Sequence, residues 1–410
     1  MALGNAAFWQ GQERSWELMN TDEQATRREI GTTTVGTTDL RVPRLGVGTV
    51  PLGNMLGEVG ITVDDAEAVR IVEAAHRSGA RLLDTAPQYG AGLAERRVGA
   101  AVANLPREDM VISTKVGRLL RSVSTARKVA NVLRQSVTGP ERGPALIGRH
   151  AVRLGRRLMG KDPAYGLGFP FDRGDERALE AYFDFSYDGV MRSVEQSLER
   201  LGLDRVDMLF IHDPDDHYEQ ALSGAFKALE RLRSEGSVKA IGVGMNQSAM
   251  LARFAREAEF DCFLLAGRYT LLNQSGLADL LPIAVERKMS VNLGGVFNSG
   301  LLADPRPGVA FDYHAVGADS EPLQRALRMK AVCDRYDIPL AAAALQFPLA
   351  HPAVATVIVG VRSAAELEEN VGHFTRPIPR DLWLELRTEG HVPEGVPLPG
   401  DATAVGSGAG

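Results

Sequence analysis

Short apolar runs alternate along this chain with longer stretches whose apolar residues recur three and four positions apart. The first pattern marks buried strands, the second amphipathic helices. Residues 44–48 read as a strand and 63–78 as a helix, capped by Asp64 or Asp65. A second strand over 81–84 precedes a helix over 93–104, and a third strand covers 110–115. The rhythm resumes with a helix over 187–201, whose apolar stripe is Val190, Met191, Val194, Leu198 and Leu201. Strands over 206–212, 238–242, 262–266 and 289–293 then alternate with helices over 220–235, 248–258 and 276–287. Helices over 321–336 and 340–349 lead to an eighth strand over 356–359 and a helix over 364–371. Eight strand–helix alternations predict an α/β fold with parallel strand pairing.

Four regions stand outside this rhythm. Residues 1–27 are polar and mixed and read as an extension, with a helix expected around 13–19. Residues 28–42, rich in Thr, Val and Gly, predict a hairpin. After Trp383 the chain turns Pro- and Gly-rich, and 401–410 read as a loose tail. The largest, 118–186, separates the third strand from its helix. From Arg118 to Lys161 it holds eleven Lys and Arg against one acid, Glu141. Helices are expected over 124–137 and 145–159, followed by aromatic runs at 165–171 and 182–187.

Composition narrows the class. With 44% hydrophobic residues in 410, the chain can bury a large core, and its net charge of −6 points to neither nucleic acid nor membrane. Two cysteines, Cys262 and Cys333, make no disulfide framework, so a reducing cytoplasm is expected. Neither a signal peptide nor a membrane-spanning run is expected, and nothing in the pattern gives an oligomeric state. Against this acidic background the basic insertion has three functional readings: a lid selecting an anionic or bulky substrate, a dock for an acidic partner, or a membrane-surface element. The plainer reading is solvated helices on the rim.

Three early strands end on polar residues: Asp84, Lys115 and His212. Tyr89 follows Asp84 by five residues, past a proline, and precedes Gly90. In a closed parallel barrel the carboxyl ends of the strands meet at one mouth. There an Asp84–Lys115 ion pair would favour the Tyr89 tyrosinate, and His212 would orient a substrate oxygen. Such a group moves a proton on and off an alcohol or carbonyl. The run from His212 to His217 lies in a turn without fixed ligand geometry, so no metal is expected.

At these residues the chain resembles the aldo-keto reductases, whose tetrad is Asp, Tyr, Lys and His in this order. Within them it resembles the branch of D-threo-aldose 1-dehydrogenases (L-fucose dehydrogenases) and pyridoxal 4-dehydrogenases. The segments that carry the branch likeness are 84–90, 211–217, 241–247 and 292–300. The resemblance implies closure into a (β/α)8 TIM barrel over 28–400, with the hairpin plugging its floor and 118–186 inserted at the active-site face. Asp84, Tyr89, Lys115 and His212 would be catalytic. Tyr89, His212, Asp213, Phe169 and Phe171 would meet the substrate.

No Gly-x-Gly-x-x-Gly follows a strand, so the residues alone name no cofactor. The resemblance implies NAD or NADP lying across the barrel mouth. Gly48, Thr49, Val50 and Asp84 would border the nicotinamide end, and Asn246 the carboxamide. Gly294, Gly295, Phe297, Ser299, Gly300 and Leu301 would wrap the pyrophosphate, glycines letting backbone N–H groups approach it. Gly360, Arg362, Glu366, Glu369 and Asn370 would hold the adenosine. Three family positions differ: the usual Ser-Asn pair falls on Gly244 and Met245, the glutamine on Ala266, and the stacking aromatic near Gly294. Glu366 stands where an arginine commonly meets the 2′-phosphate, which favours NAD.

The activity so implied is oxidation of an aldose of L-fucose or D-threo type at C1 to a lactone. An alternative is reduction or oxidation of another carbonyl, such as pyridoxal or a deoxysugar or secondary-metabolite intermediate. A reading of a different class is a cofactor-sensing interaction module.

Overall fold

The computed structural model describes residues 29–55, 62–122, 179–312 and 314–401. The chain enters through an antiparallel hairpin, β1 (Thr32–Thr34) and β2 (Arg41–Pro43). Eight strands then close into a parallel barrel: β3 (Leu45–Gly48), β4 (Leu82–Asp84), β5 (Val111–Val116), β8 (Met208–His212), β9 (Ala240–Met245), β10 (Cys262–Ala266), β11 (Ser290–Gly294) and β14 (Val354–Gly360). Neighbours around the barrel follow chain order, and β14 pairs with β3 to close it. The (β/α)8 barrel expected above is therefore the observed fold.

The hairpin seals the amino-terminal end of the barrel. Its Val35, Leu40 and Val42 are buried together with Leu82, Met208, Phe210, Cys262 and Ile358 from the barrel strands. Gly36 makes the closure possible. Its backbone sits at φ +53°, and a Cβ there would fall 2.6 Å from the Asp261 carbonyl. Only glycine tolerates both conditions. A larger apolar shell, from Leu45 and Val47 through Trp383, joins the outward strand faces to the surrounding helices.

Several helices begin and end where the sequence says they should. Asp64, of the two candidate caps, accepts the Glu67 N–H at 2.7 Å, so the helix runs Asp65–Ser78 and stops at left-handed Gly79. Ser186 caps the helix Tyr187–Leu201 by accepting the Gly189 N–H, and Gly202 ends it. The helix expected over 220–235 is interrupted. Ala221–Phe226 forms a π turn before a regular helix over Lys227–Ser234. At Gly224 a Cβ would lie 2.5 Å from the Phe185 carbonyl, so the turn packs against the chain entering the preceding helix. A terminal helix, Arg380–Thr388, runs past Trp383 because Leu382, Trp383 and Leu386 share one buried face, and the Pro- and Gly-rich chain turns irregular after it.

Beyond β5 the chain forms β6 (Arg118–Ser122), antiparallel to β7 (Leu179–Phe183). A second small ribbon, β12 (Ala310–Phe311) with β13 (His314–Ala315), follows β11. The helices expected over 124–137 and 145–159, and Phe169 and Phe171, lie outside the described residues, as do the extension before residue 29 and the tail after 401. No helix among the described residues is long and apolar enough to cross a membrane.

Candidate active site

Three consecutive barrel strands, β4, β5 and β8, carry at or next to their carboxyl ends the polar side chains singled out in the sequence. Lys115 Nζ donates to Asp84 Oδ2 at 2.7 Å and to the Thr85 carbonyl at 2.9 Å. Ser113 Oγ donates to the other Asp84 oxygen at 2.7 Å. The pair is 4% and 2% exposed, so both charges are held out of water and both carboxylate oxygens are bonded. Such pairs are stable only when fully satisfied.

The turn after β4 delivers Tyr89 to this pair. It packs backbone to backbone on the turn Pro51–Gly53: a Cβ at Gly90, which has φ +62°, would fall 2.3 Å from the Gly53 carbonyl. Lys115 Nζ then lies 4.8 Å from the Tyr89 ring centre. The Tyr89 and His212 rings meet edge to face, centres 6.0 Å apart at 87°. The structure thus brings Asp84, Tyr89, Lys115 and His212 into one cluster.

The charge states differ in one respect from the sequence reading. Burial pushes the Tyr89 hydroxyl above the ordinary tyrosine value, outweighing the Lys115 ammonium that pulls it down. Lys115 thus favours the tyrosinate as expected, but burial opposes it more strongly and favours the phenol. Burial also lowers Lys115, but Asp84 and Tyr89 more than offset it, and the ammonium is held more firmly than usual. His212 is driven well below its usual range by burial, then by the Lys115 and Arg118 charges, and is neutral. Its Nδ1 is buried with no partner among the described residues.

Asp213 follows His212 at φ +44°, and its Oδ2 lies 3.6 Å from His212 Nε2. Arg118 Nη2 donates to the same oxygen at 2.7 Å, and Nη1 donates to Gln88 Oε1. Arg118 and Gln88 were not legible as site residues. Arg118 stands at the head of the basic insertion, and only Gly117, at φ +93° with the Phe185 ring against it, turns the chain back over the mouth.

The rest of the mouth is bare. Strands β3, β9, β11 and β14 carry Gly48, Gly244, Gly294 and Gly360 at their carboxyl ends, and β10 ends on Ala266. These five strands are contiguous around the barrel, so one arc is polar and the other has almost no side chains. Thr49, fully buried, ties the two arcs by donating its N–H and its hydroxyl to the Asp84 carbonyl at 2.9 and 3.0 Å. Below Gly294, Asn292 is fully buried with both amide atoms unpartnered among the described residues.

The remaining sequence-selected positions ring this bare arc. Val50 leads into the turn Pro51–Gly53, and Asn246 follows β9 directly. Gly295 at φ +64°, Ser299 at +59° and Gly300 at +102° bend the loop after β11. Within it the N–H groups of Asn298, Gly300, Leu301 and Leu302 are committed to the loop's own turns. Phe297 is half-buried and the Leu301 side chain lies in the core. Beyond β14, the Arg362 N–H donates to Glu366 Oε2 at 2.7 Å and the two side chains pair at 3.5 Å. Asn370 is buried, whereas the Glu369 side chain is 70% exposed and faces His373. Among the described residues no group of His, Cys, Asp and Glu could hold a metal ion.

A closed parallel barrel with an acid/base cluster on one arc of its mouth defines a class, and the chain belongs to it: it is a member of the Aldo/keto reductase family, whose profile matches residues 44–387. It is an NAD(P)-dependent oxidoreductase. It is 40% identical over 369 residues to pyridoxal 4-dehydrogenase from Microbacterium luteolum, covering 87% of this chain and 97% of that one. It is 39% identical over 355 residues to D-threo-aldose 1-dehydrogenase from a Pseudomonas species, covering 86% and 96%. Among solved structures, aldo-keto reductase AKR11C1 from Bacillus halodurans shares the fold at TM-score 0.60 and 22% identity, covering 88% of this chain and 96% of that one.

Proposed function

We propose that this enzyme oxidises an aldose of L-fucose or D-threo type at C1 to the lactone, with NAD preferred. The observation that carries the chemistry is the Tyr89 ring set 4.8 Å from the ammonium of the buried Lys115–Asp84 pair. In oxidation Tyr89 first gives its own proton to solvent and the phenolate then accepts the C1 hydroxyl proton; in reduction the phenol donates that proton to the carbonyl oxygen. Lys115 stabilises the phenolate that forms, and Asp84 holds the ammonium in place. Neutral His212 bonds the reacting oxygen and fixes its lone pairs toward Tyr89. Because the resting phenol is protonated, oxidation gains from alkaline pH and reduction does not.

What supports a nicotinamide dinucleotide on the bare arc is that five contiguous strands carry Gly48, Gly244, Ala266, Gly294 and Gly360 at or beside their carboxyl ends, with no larger side chain at those positions. When bound there, it supplies the acceptor for the hydride lost from C1. Gly48, Thr49, Val50 and Asn246 would border its nicotinamide end, the 294–301 loop its phosphates, and Arg362, Glu366 and Asn370 its adenosine.

A second reading, oxidation of pyridoxal, is favoured by the relative that is 40% identical over 97% of its length. Appearance of reduced nicotinamide with a set of aldoses and with pyridoxal separates the two. The aldose reading requires the highest kcat/KM with an aldose and one lactone per cofactor reduced. A clear preference for pyridoxal would replace it.

The NAD preference has its own test. Glu366 neutralises Arg362, so a 2′-phosphate finds no net positive charge there. Glu366→Arg should move the NADP/NAD ratio of kcat/KM toward NADP by on the order of 1–3 kcal/mol, typical of one charge-assisted hydrogen bond. A ratio that ignores the substitution would remove Glu366 from the adenosine site.

A further inference from the structure

Next to the reacting cluster, on the polar arc, Arg118 joins three separate pieces of chain. Its two terminal nitrogens bond Gln88, beside Tyr89, and Asp213, beside His212. Its Nε is buried without a partner among the described residues. On its outer side the Phe183 ring centre lies 4.9 Å from the guanidinium carbon. Phe183 is 49% exposed, yet the ring is not loose. It stacks on Phe185 at 5.9 Å and 23° and leans on His217 at 5.2 Å.

We propose that Phe183, Arg118 and Asp213 form an outer subsite that grips the hydroxyls and one apolar face of a polyhydroxy substrate. The proposal rests on the aldose reading and adds the residues that would make the enzyme prefer a sugar to a simple carbonyl. A pyranose offers C–H groups on its faces and hydroxyls at its edge. A rigid, half-exposed aromatic ring suits the first. A carboxylate that accepts and a guanidinium that donates suit the second. The groups are consecutive: His212 Nε2 to Asp213 Oδ2 is 3.6 Å, that oxygen to Arg118 is 2.7 Å, and Arg118 to the Phe183 ring is 4.9 Å. A sugar held at C1 by Tyr89 and His212 therefore runs outward over them.

The test is a discrimination ratio: kcat/KM for oxidation of L-fucose divided by kcat/KM for reduction of butanal, which has no hydroxyl. Phe183→Ala and Asp213→Asn should each lower this ratio about tenfold, the equivalent of one lost hydrogen bond or stacking contact. Phe183→Tyr, which keeps the ring face, should restore it. A substitution that merely disturbs the fold lowers both terms together and leaves the ratio at the wild-type value, and that result overturns the subsite. Wild type inert toward every aldose but active on pyridoxal overturns the aldose reading and the subsite with it. Wild type active on L-fucose, with both variants keeping the wild-type ratio, overturns the subsite alone.

Discussion

Tyr89→Phe should lower kcat by about 10²–10⁴-fold, the usual contribution of a positioned proton-transfer group. The substitution removes one oxygen. The ring still meets His212 edge to face and still packs under Lys115, so the pocket keeps its shape. Cofactor affinity, followed by fluorescence titration, should stay close to wild type, because the bare arc carries no part of Tyr89. The pH profile gives a second readout. Burial holds the phenol protonated, so oxidation by the wild type should climb with pH through neutrality into the alkaline range. That climb should vanish in Tyr89→Phe. A variant with near-wild-type turnover, or one that keeps the same alkaline rise, would place the base elsewhere.

Lys115→Met has the largest expected effect on stability. It leaves Asp84 buried with only the Ser113 hydroxyl to answer its charge. Breaking a buried pair from one side typically destabilises by about 3–5 kcal/mol, far more than the pair itself adds. Denaturant unfolding should show that loss. Asp84→Asn together with Lys115→Met removes both charges and should regain most of it, because the two residues contact each other and their effects are not additive. Turnover should not return with stability, since the double variant has no ammonium to stabilise a Tyr89 phenolate. Additive losses in the double variant would mean that the two charges are not coupled.

Much of this site could be read from the residues because strand ends are local. An apolar run closing on Asp84, Lys115 or His212 announces its own position, and chain order around the barrel then makes the three neighbours. In the sequence the glycines at 48, 294 and 360 are marked for the cofactor one by one, and Gly244 as a departure from the family pattern. They become one bare arc only when the strand order is known. Arg118 was hidden for another reason. Its strand pairs with one that ends at Phe183, so the contact joins residues far apart across an insertion whose charge reads as a solvated surface. For Tyr89 the pull of Lys115 toward the tyrosinate can be seen in the sequence, whereas burial, the larger and opposing influence, cannot. The π turn at 221–226 likewise depends on a tertiary contact, Gly224 against Phe185, that no local pattern contains.

The central claim is that the Tyr89 cluster serves removal of hydrogen from C1 of an aldose. The most direct measurement is a single turnover of wild-type enzyme with L-fucose carrying deuterium at C1. If the claim holds, deuterium appears in the reduced nicotinamide, the lactone carries none, and the turnover is slower than with the unlabelled sugar. Deuterium retained at C1 of the product, with cofactor nonetheless reduced, would contradict it.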